Sequence, residues 1–282
     1  MIPKRMFFYW DKPYLSWMRY MTLYSFRKMN PSWEMVLCLR QDDNKPKKWS
    51  GQVGQDFLNY KGDNYFDRLS KLNIIIETVK FPSAFDATVI SPIHESDLYR
   101  YYKLYNDGGF YSDMDILYFR SMDNIYNEIL QCGANTVFYT QCDHTSIGFL
   151  GAEKDNLFYR GLMMFALDVE DVNTYQAYGT SLIFKFCKKY DIRHVVVDMY
   201  NDLVVFVIPE YLIYYYNSKV IEKAFSNSFG IKNFNDKSIG YHWYAGAPIA
   251  QKFNNLITEN NYMNYKTTFS TVVKELLNGS SY

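Results

Sequence analysis

Asp113 and Asp115 are separated by a single residue, Met114. On an extended backbone the side chains alternate, so two carboxylates at this spacing leave the same face. Two oxygen donors on one face suit a hard divalent cation such as Mg²⁺ or Mn²⁺, which keeps part of its water and bridges phosphates. The pair alone says little, because a chain of this composition holds about one Asp-x-Asp by chance, and a solvated strand end accounts for it equally well. Its surroundings add weight: Gly108-Gly109 and two aromatics precede it, and the apolar run Ile116-Leu117-Tyr118-Phe119 follows. A second group lies upstream, where Asp97 and Arg100 stand one helical turn apart beside Glu95. An ion pair on an exposed helix face contributes little, so this group needs burial to matter. The third is His242-Trp243; an imidazole is an acceptable though softer ligand, and a core or loop histidine fits the sequence equally.

Positioning such groups takes a scaffold, and the apolar pattern supplies one. Residues 6–10 (Met-Phe-Phe-Tyr-Trp) form a short apolar run closed by Asp11-Lys12-Pro13, which predicts a buried strand. Residues 16–29 place Trp17, Tyr20, Met21, Tyr24 and Met29 near helical spacing, with Ser16 as N-cap and Asn30-Pro31 as the stop. A second apolar run covers 33–39. Strand, helix and strand joined this tightly open a parallel α/β sheet. Residues 41–63 are polar and aperiodic and predict a loop or insertion. A helix is expected over 63–72, a strand over 73–81 closed by Pro82, and a helix over 94–106. That helix ends at Gly108-Gly109, where a left-handed C-cap favours glycine. Residues 110–119 then return as one strand carrying Asp113 and Asp115. Further on, strands at 136–139, 195–197 and 204–208 alternate with helices at 156–167 and 179–190. The tail from residue 217 is rich in Asn, Ser and Tyr, and a last helix covers 267–277.

Composition removes several classes of function. The 282 residues are 48% hydrophobic and 21% charged, which suits one large folded domain and excludes disorder for the bulk of the chain. Thirty Lys and Arg balance thirty Asp and Glu. No whole-molecule grip on nucleic acid or an anionic membrane is expected, since both need excess positive charge. The four cysteines include no CxxC pair, and no histidine stands beside a cysteine at zinc-finger spacing. No transmembrane run and no apolar leader ahead of Asp11 are visible, so a cytoplasmic location with free thiols is expected. Aromatic residues reach 19%, with 28 Tyr, and a tyrosine-rich core is the simpler account of them.

Taken together, Ser96-Asp97-x-x-Arg100, Gly108-Gly109-x-Tyr111 and Asp113-x-Asp115, with thirteen residues from Arg100 to Asp113, form a more specific pattern than the aspartates alone. It resembles the donor-binding signature of the DXD-containing sugar transferases, namely glycosyltransferase family 32 and the glucosyltransferase domain of the large clostridial toxins. Ile2-Pro3-Lys4 ahead of an aromatic strand ending in Trp10, and Asn30-Pro31-x-Trp33-Glu34, are similar to the opening of these enzymes. The likeness covers residues 1–40 and 94–123. It implies a GT-A fold: a single Rossmann-like α/β domain over 1–282, its mainly parallel sheet flanked by helices and carrying helical or loop insertions. Residues 1–125 would be the nucleotide-sugar half, and 126–282 the acceptor side with a C-terminal segment contacting metal or phosphate.

The resemblance also implies roles. Trp10 would stack on the nucleotide base, and Tyr111 would line its pocket. Asp97 and Arg100 would bind the donor-sugar hydroxyls, with Arg100 near the diphosphate. Asp113 would contact the ribose and sugar and help hold the ion, which Asp115 would ligate directly. His242 would be a further metal ligand, and an acceptor-facing segment would lie near Gly179-Thr180-Ser181. The cofactors implied are Mn²⁺ or Mg²⁺ and a nucleotide sugar, UDP-linked, with a glycan, lipid-linked or protein acceptor and retention of anomeric configuration. One departure stands out: Ala247-Pro248 follow Gly246 where the family carries Ser-Trp. A non-catalytic module descended from a transferase therefore remains an alternative. A Mg²⁺ phosphohydrolase fits poorly, because its nucleophilic Asp ends the first strand.

Overall fold

The computed structural model describes residues 1–11, 14–40, 60, 62–79, 92–141, 144–169, 176–189, 203–217 and 219–279. Strand β1 (Arg5–Trp10) is buried along its middle and pairs in parallel with β2 (Glu34–Arg40), as the two apolar runs require. Its side chains alternate between two cores, Phe8 entering one and Phe7 and Tyr9 the other. Between the strands runs helix α1 (Trp17–Met29), capped by the Ser16 hydroxyl, which accepts from the Arg19 N–H. Strand β3 (Ile75–Val79) extends the sheet beyond β2. The segment expected as a helix over 63–72 is a 3₁₀ helix, Phe66–Leu72.

Helix α2 (Pro92–Asn106) leads into β4 (Gly109–Ser112), parallel to β1. The glycine pair between them is demanded by the backbone: φ is 66° at Gly108 and 122° at Gly109, and a Cβ at 109 would lie 2.9 Å from the Arg5 carbonyl oxygen. Helix α3 (Asp123–Gln131), strand β6 (Thr136–Gln141) and strand β7 (His144–Ala152) follow, and β7 inserts antiparallel between β4 and β6. With β8 (Val205–Val207) parallel to β6, the described residues form a sheet of order β3-β2-β1-β4-β7-β6-β8. Helices α4 (Leu157–Ala166) and α5 (Thr180–Lys189) pack with α2 on one face; α1 and α8 (Thr268–Leu277) help build the other core. This is the expected α/β architecture, a mainly parallel sheet flanked by helices. The tyrosine-rich core is present too, with Tyr99, Tyr101, Tyr118, Tyr159 and Tyr241 fully buried.

One expectation fails where it matters most. Residues 110–119 are not a single strand. The ladder of β4 ends at Ser112, the chain turns over Asp113-Met114-Asp115, and β5 (Ile116–Tyr118) joins a separate two-stranded sheet with β9 (Gly240–His242). The turn is held from α1: Thr22 Oγ1 donates to the Met114 carbonyl at 3.1 Å, and Ser25 Oγ accepts from the Tyr118 N–H at 3.0 Å. The apolar run 116–119 misled because β5 is buried too. Strand β7, α3, α6 (Glu222–Ser226) and α7 (Pro248–Leu256) were not anticipated. The strand expected at 195–197 and most of the polar stretch 41–63 lie outside the described residues.

Candidate active site

The turn between β4 and β5 brings Asp113 and Asp115 together by a route other than strand alternation. The Asp113 N–H donates to the Gly148 carbonyl on β7 at 2.8 Å, the last bond before the chain turns away. Asp115 is then drawn to the segment after β9: its backbone carbonyl accepts from Trp243 at 2.9 Å, and its Oδ2 from the Ala245 N–H at 2.7 Å. Because β9 pairs with β5 in the register Ile116↔His242, the imidazole arrives opposite the turn. His242 Nε2 lies 3.2 Å from Asp115 Oδ1 and 3.7 Å from Asp113 Oδ2. Among the described residues these three form one group whose ligand atoms all lie within 4.8 Å of one another.

Two observations test whether a divalent cation fits here. Asp115 Oδ1 is buried and accepts no hydrogen bond, its 3.2 Å contact with His242 Nε2 being an ion pair only, and a buried carboxylate oxygen left so is suited to a cation. The space beside it is kept open by Gly148, whose Cβ would lie 2.8 Å from Asp113 Oδ2. The two carboxylates and the imidazole lie close enough to share one ion. His242 fits with one change: its Nδ1 accepts from the Tyr244 N–H at 3.1 Å, so in the neutral ring Nε2 carries the proton. Ligation through Nε2 would move that proton to Nδ1 and open the backbone contact. Tyr244 is itself held at φ 47°, a left-handed conformation that non-glycine residues seldom adopt.

Arg100 forms the second part of the site. It rises from α2, where Ser96 and Asp97 lie on the same face one turn earlier. Its Nη2 contacts Asp97 Oδ1 at 2.9 Å and Ser96 Oγ at 3.0 Å, and Nη1 reaches the Ile147 carbonyl at 2.7 Å and Asp113 Oδ1 at 3.2 Å. Arg100 therefore joins Asp97 to Asp113, while Glu95 faces Tyr9, whose hydroxyl donates to it at 3.1 Å. Burial pushes the Asp97 carboxyl up to about 7, and Arg100, shared with Asp113, only partly opposes this. At Asp113 the opposite holds: burial is outweighed by Arg100, His242 and Tyr111, and the carboxyl is held well below its ordinary range. Burial disfavours the His242 cation, yet Asp115 and Asp113 raise its pKa above the ordinary value.

Tyr111 sits behind the cluster, 1% exposed. Its hydroxyl donates to Asp113 Oδ1 at 3.1 Å and so accepts from Ser96 Oγ at 3.0 Å, and Arg100 Cζ lies 4.4 Å from its ring centre. Trp10 ends β1 half-buried, its indole N–H on the Tyr14 carbonyl at 2.8 Å. Gly179 opens α5 beside Asp97, where a Cβ would lie 3.1 Å from Asp97 Oδ2. Two neighbours were missed from the sequence. Gly148 sits in a strand without clear alternation. Arg19 reads as an ordinary charged helix residue, yet it is buried with its Cζ 5.1 Å from the ring centres of both Trp10 and Trp243. Burial lowers its pKa, and the charges of Asp115 and Asp113 oppose that.

Residues 16–131 match the family described as "Glycosyltransferase sugar-binding region containing DXD motif". The matched stretch is less than half of the chain. It spans α1, α2 and the Asp113–Asp115 turn, which is its DXD. Gly148, His242 and Trp243, which complete the site, lie beyond the matched stretch. Among solved structures, the chain is similar to the glycosyltransferase GlyE of Streptococcus pneumoniae (TM-score 0.48, 10% identity, 99% of this chain and 64% of that one). It is also similar to the PaToxG glycosyltransferase (0.44, 12%, 100% and 87%) and to the UDP-bound glycosyltransferase domain of the YGT toxin (0.37, 13%, 70% and 65%). The chain thus spans less than two thirds of GlyE and of the YGT domain. No curated protein matches it in sequence.

Proposed function

We propose that this chain is a metal-dependent, retaining glycosyltransferase that moves a hexose from a UDP-sugar to a hydroxyl of a glycan, lipid-linked or protein acceptor. The observation that carries this reading is the buried Asp115 Oδ1, which accepts no hydrogen bond and is set among Asp113, His242 and Arg100, its turn lying in the stretch that matches the DXD sugar-binding family. Asp113 and Asp115 would hold the divalent ion, with His242 as third ligand once the Tyr244 contact opens. Such an ion, when bound, supplies Lewis-acid stabilisation of the negative charge that develops on the leaving diphosphate.

The chain's own groups do the rest. Arg100 is fixed by Asp97, Ser96 and Ile147 before any donor arrives, so its charge needs no reorganisation when the sugar–phosphate bond breaks. Asp97 presents Oδ2 toward the start of α5 and would accept from donor-sugar hydroxyls. Trp10 offers an indole face for the base. The acceptor hydroxyl would attack from the face the diphosphate leaves, through an oxocarbenium-like transition state.

A donor panel tests the reading. Purified protein with Mn²⁺ or Mg²⁺, and then with chelator, is given UDP-Glc, UDP-Gal, UDP-GlcNAc, UDP-GalNAc and GDP-Man, and nucleotide release is followed. Release from one UDP-sugar that chelator stops is the expected result. Silence on every donor, with no thermal stabilisation by UDP plus Mn²⁺, overturns it in favour of a non-catalytic module.

A further inference from the structure

Helix α1 is deeply buried, yet it carries a polar stripe at three-residue spacing: Arg19, Thr22 and Ser25, at 7%, 0% and 0% exposure. Residues so spaced share a helix face. Here that face holds the DXD turn and the strand that follows it, and its first member lies in the field of the turn's aspartates. Thr22 takes the Met114 carbonyl, Ser25 takes the Tyr118 N–H, and Arg19, one turn toward the N-terminus, lies within the field of Asp115 and Asp113. Burying a guanidinium is costly, so a site that keeps one uses it. Its planar cation suits aromatic faces in a way that an ammonium does not. The two indoles it packs against come from separate sheets, Trp10 from the end of β1 and Trp243 from just beyond β9.

We propose that Arg19 is a positioning residue for the donor base: packed against both indoles beside the aspartates, it sets the ring of Trp10 relative to the His242–Trp243 segment. This rests on the reading that a nucleotide base stacks on Trp10. It adds a residue outside the Asp97–Arg100–Asp113–Asp115 group and links the base-stacking surface to the carboxylate cluster.

The test separates base from diphosphate. Uridine and UDP affinities are measured by calorimetry with Mg²⁺ present, for the wild type, Arg19→Lys, Trp10→Phe and the double variant, each checked for folding by circular dichroism. Arg19→Lys should weaken uridine and UDP by the same factor, about five- to tenfold, and this loss should largely vanish in the Trp10→Phe background. UDP weakened with uridine unchanged would mean that Arg19 touches the diphosphate itself, and the positioning role falls. Equal losses that simply add to those of Trp10→Phe overturn it as well. Should Arg19→Lys not fold, Trp243→Phe perturbs the other ring against Arg19 and should weaken uridine too; unchanged uridine affinity there overturns the proposal. A wild type that binds neither ligand removes the donor reading and this proposal together, whereas binding that no Arg19 or Trp243 variant alters removes only this one.

Discussion

Gly148 faces Asp113 so closely that a Cβ on it would lie 2.8 Å from Asp113 Oδ2 and 3.1 Å from His242 Nε2. The bare backbone of β7 is thus one wall of the carboxylate cluster. Its φ lies outside the left-handed region, so alanine suits the local backbone and the conflict falls on the site alone. Gly148→Ala should keep the fold with a loss of about 1–3 kcal/mol, the usual range for overpacking. It should weaken Mn²⁺ binding by about tenfold or more for the same displacement. Thermal melts and Mn²⁺ titration followed by electron paramagnetic resonance check both. Unchanged Mn²⁺ affinity in a folded variant would place the ion elsewhere.

Asp115 and His242 should differ in what their loss does. Asp115 Oδ1 accepts no hydrogen bond and is already a bare carboxylate oxygen, whereas His242, 3.2 Å from it, must first shift its proton and give up the contact from the Tyr244 N–H. Asp115→Asn keeps an oxygen for the Ala245 N–H and removes the charge. It should abolish metal-dependent turnover and lower Mn²⁺ affinity by about a hundredfold, a loss of the size expected for one carboxylate on a hard ion. His242→Asn should cost about tenfold or less in affinity. The same Mn²⁺ titration ranks the two, and a larger loss at His242 would reverse the assignment. An Asp115→Asn variant that unfolds would make that residue structural.

Much of this was legible in the sequence, and the rest was hidden for definite reasons. The apolar runs at 6–10 and 33–39, the Ser16 cap and Gly108-Gly109 announced the parallel core, because each obeys a local rule. Asp113 and Asp115 were found, but for the wrong geometric reason: their convergence is a property of a turn held by Thr22 on α1, not of strand alternation. Strand β7 escaped because Gly148 and Gly151 weaken its pattern. Each is glycine for a tertiary cause, since a Cβ at 151 would lie 2.8 Å from Phe110 ring atoms. Arg19 escaped because burial, not type or spacing, distinguishes it.

Asp97 supplies a pH dependence whose sign can be worked out. Its carboxyl is pushed up to about 7 in the folded protein from an ordinary 3.8. Between those values the folded state keeps a proton that the unfolded state has released. The native form therefore binds more protons, and stability from this group falls as pH rises across the window. Asp97→Asn removes the titration. Relative to the variant, the wild type should lose about 2–4 kcal/mol between pH 4 and pH 8. Melting both proteins at several pH values reads this as a difference. Parallel curves would mean that Arg100 holds Asp97 ionised throughout.

Arg100 offers the sharpest separation of charge from geometry. Its Nε contacts the Ser96 carbonyl at 3.1 Å, while the two terminal nitrogens divide among Asp97, Ser96, Ile147 and Asp113. Lysine keeps the charge but offers three donors from one point, so it cannot serve both carboxylates and the Ile147 carbonyl. Arg100→Lys should destabilise the fold by about 2–4 kcal/mol, because a buried carboxylate is left short of partners. It should lower kcat/KM for nucleotide release by about a hundredfold, as expected when a fixed donor at a developing charge is lost. Adding Asp97→Asn to it removes the stranded carboxylate and should restore part of the stability but none of the activity. Denaturant unfolding and donor turnover, measured on the single and double variants, check the two halves separately. If the double variant regains turnover along with stability, Arg100 serves the fold rather than the donor.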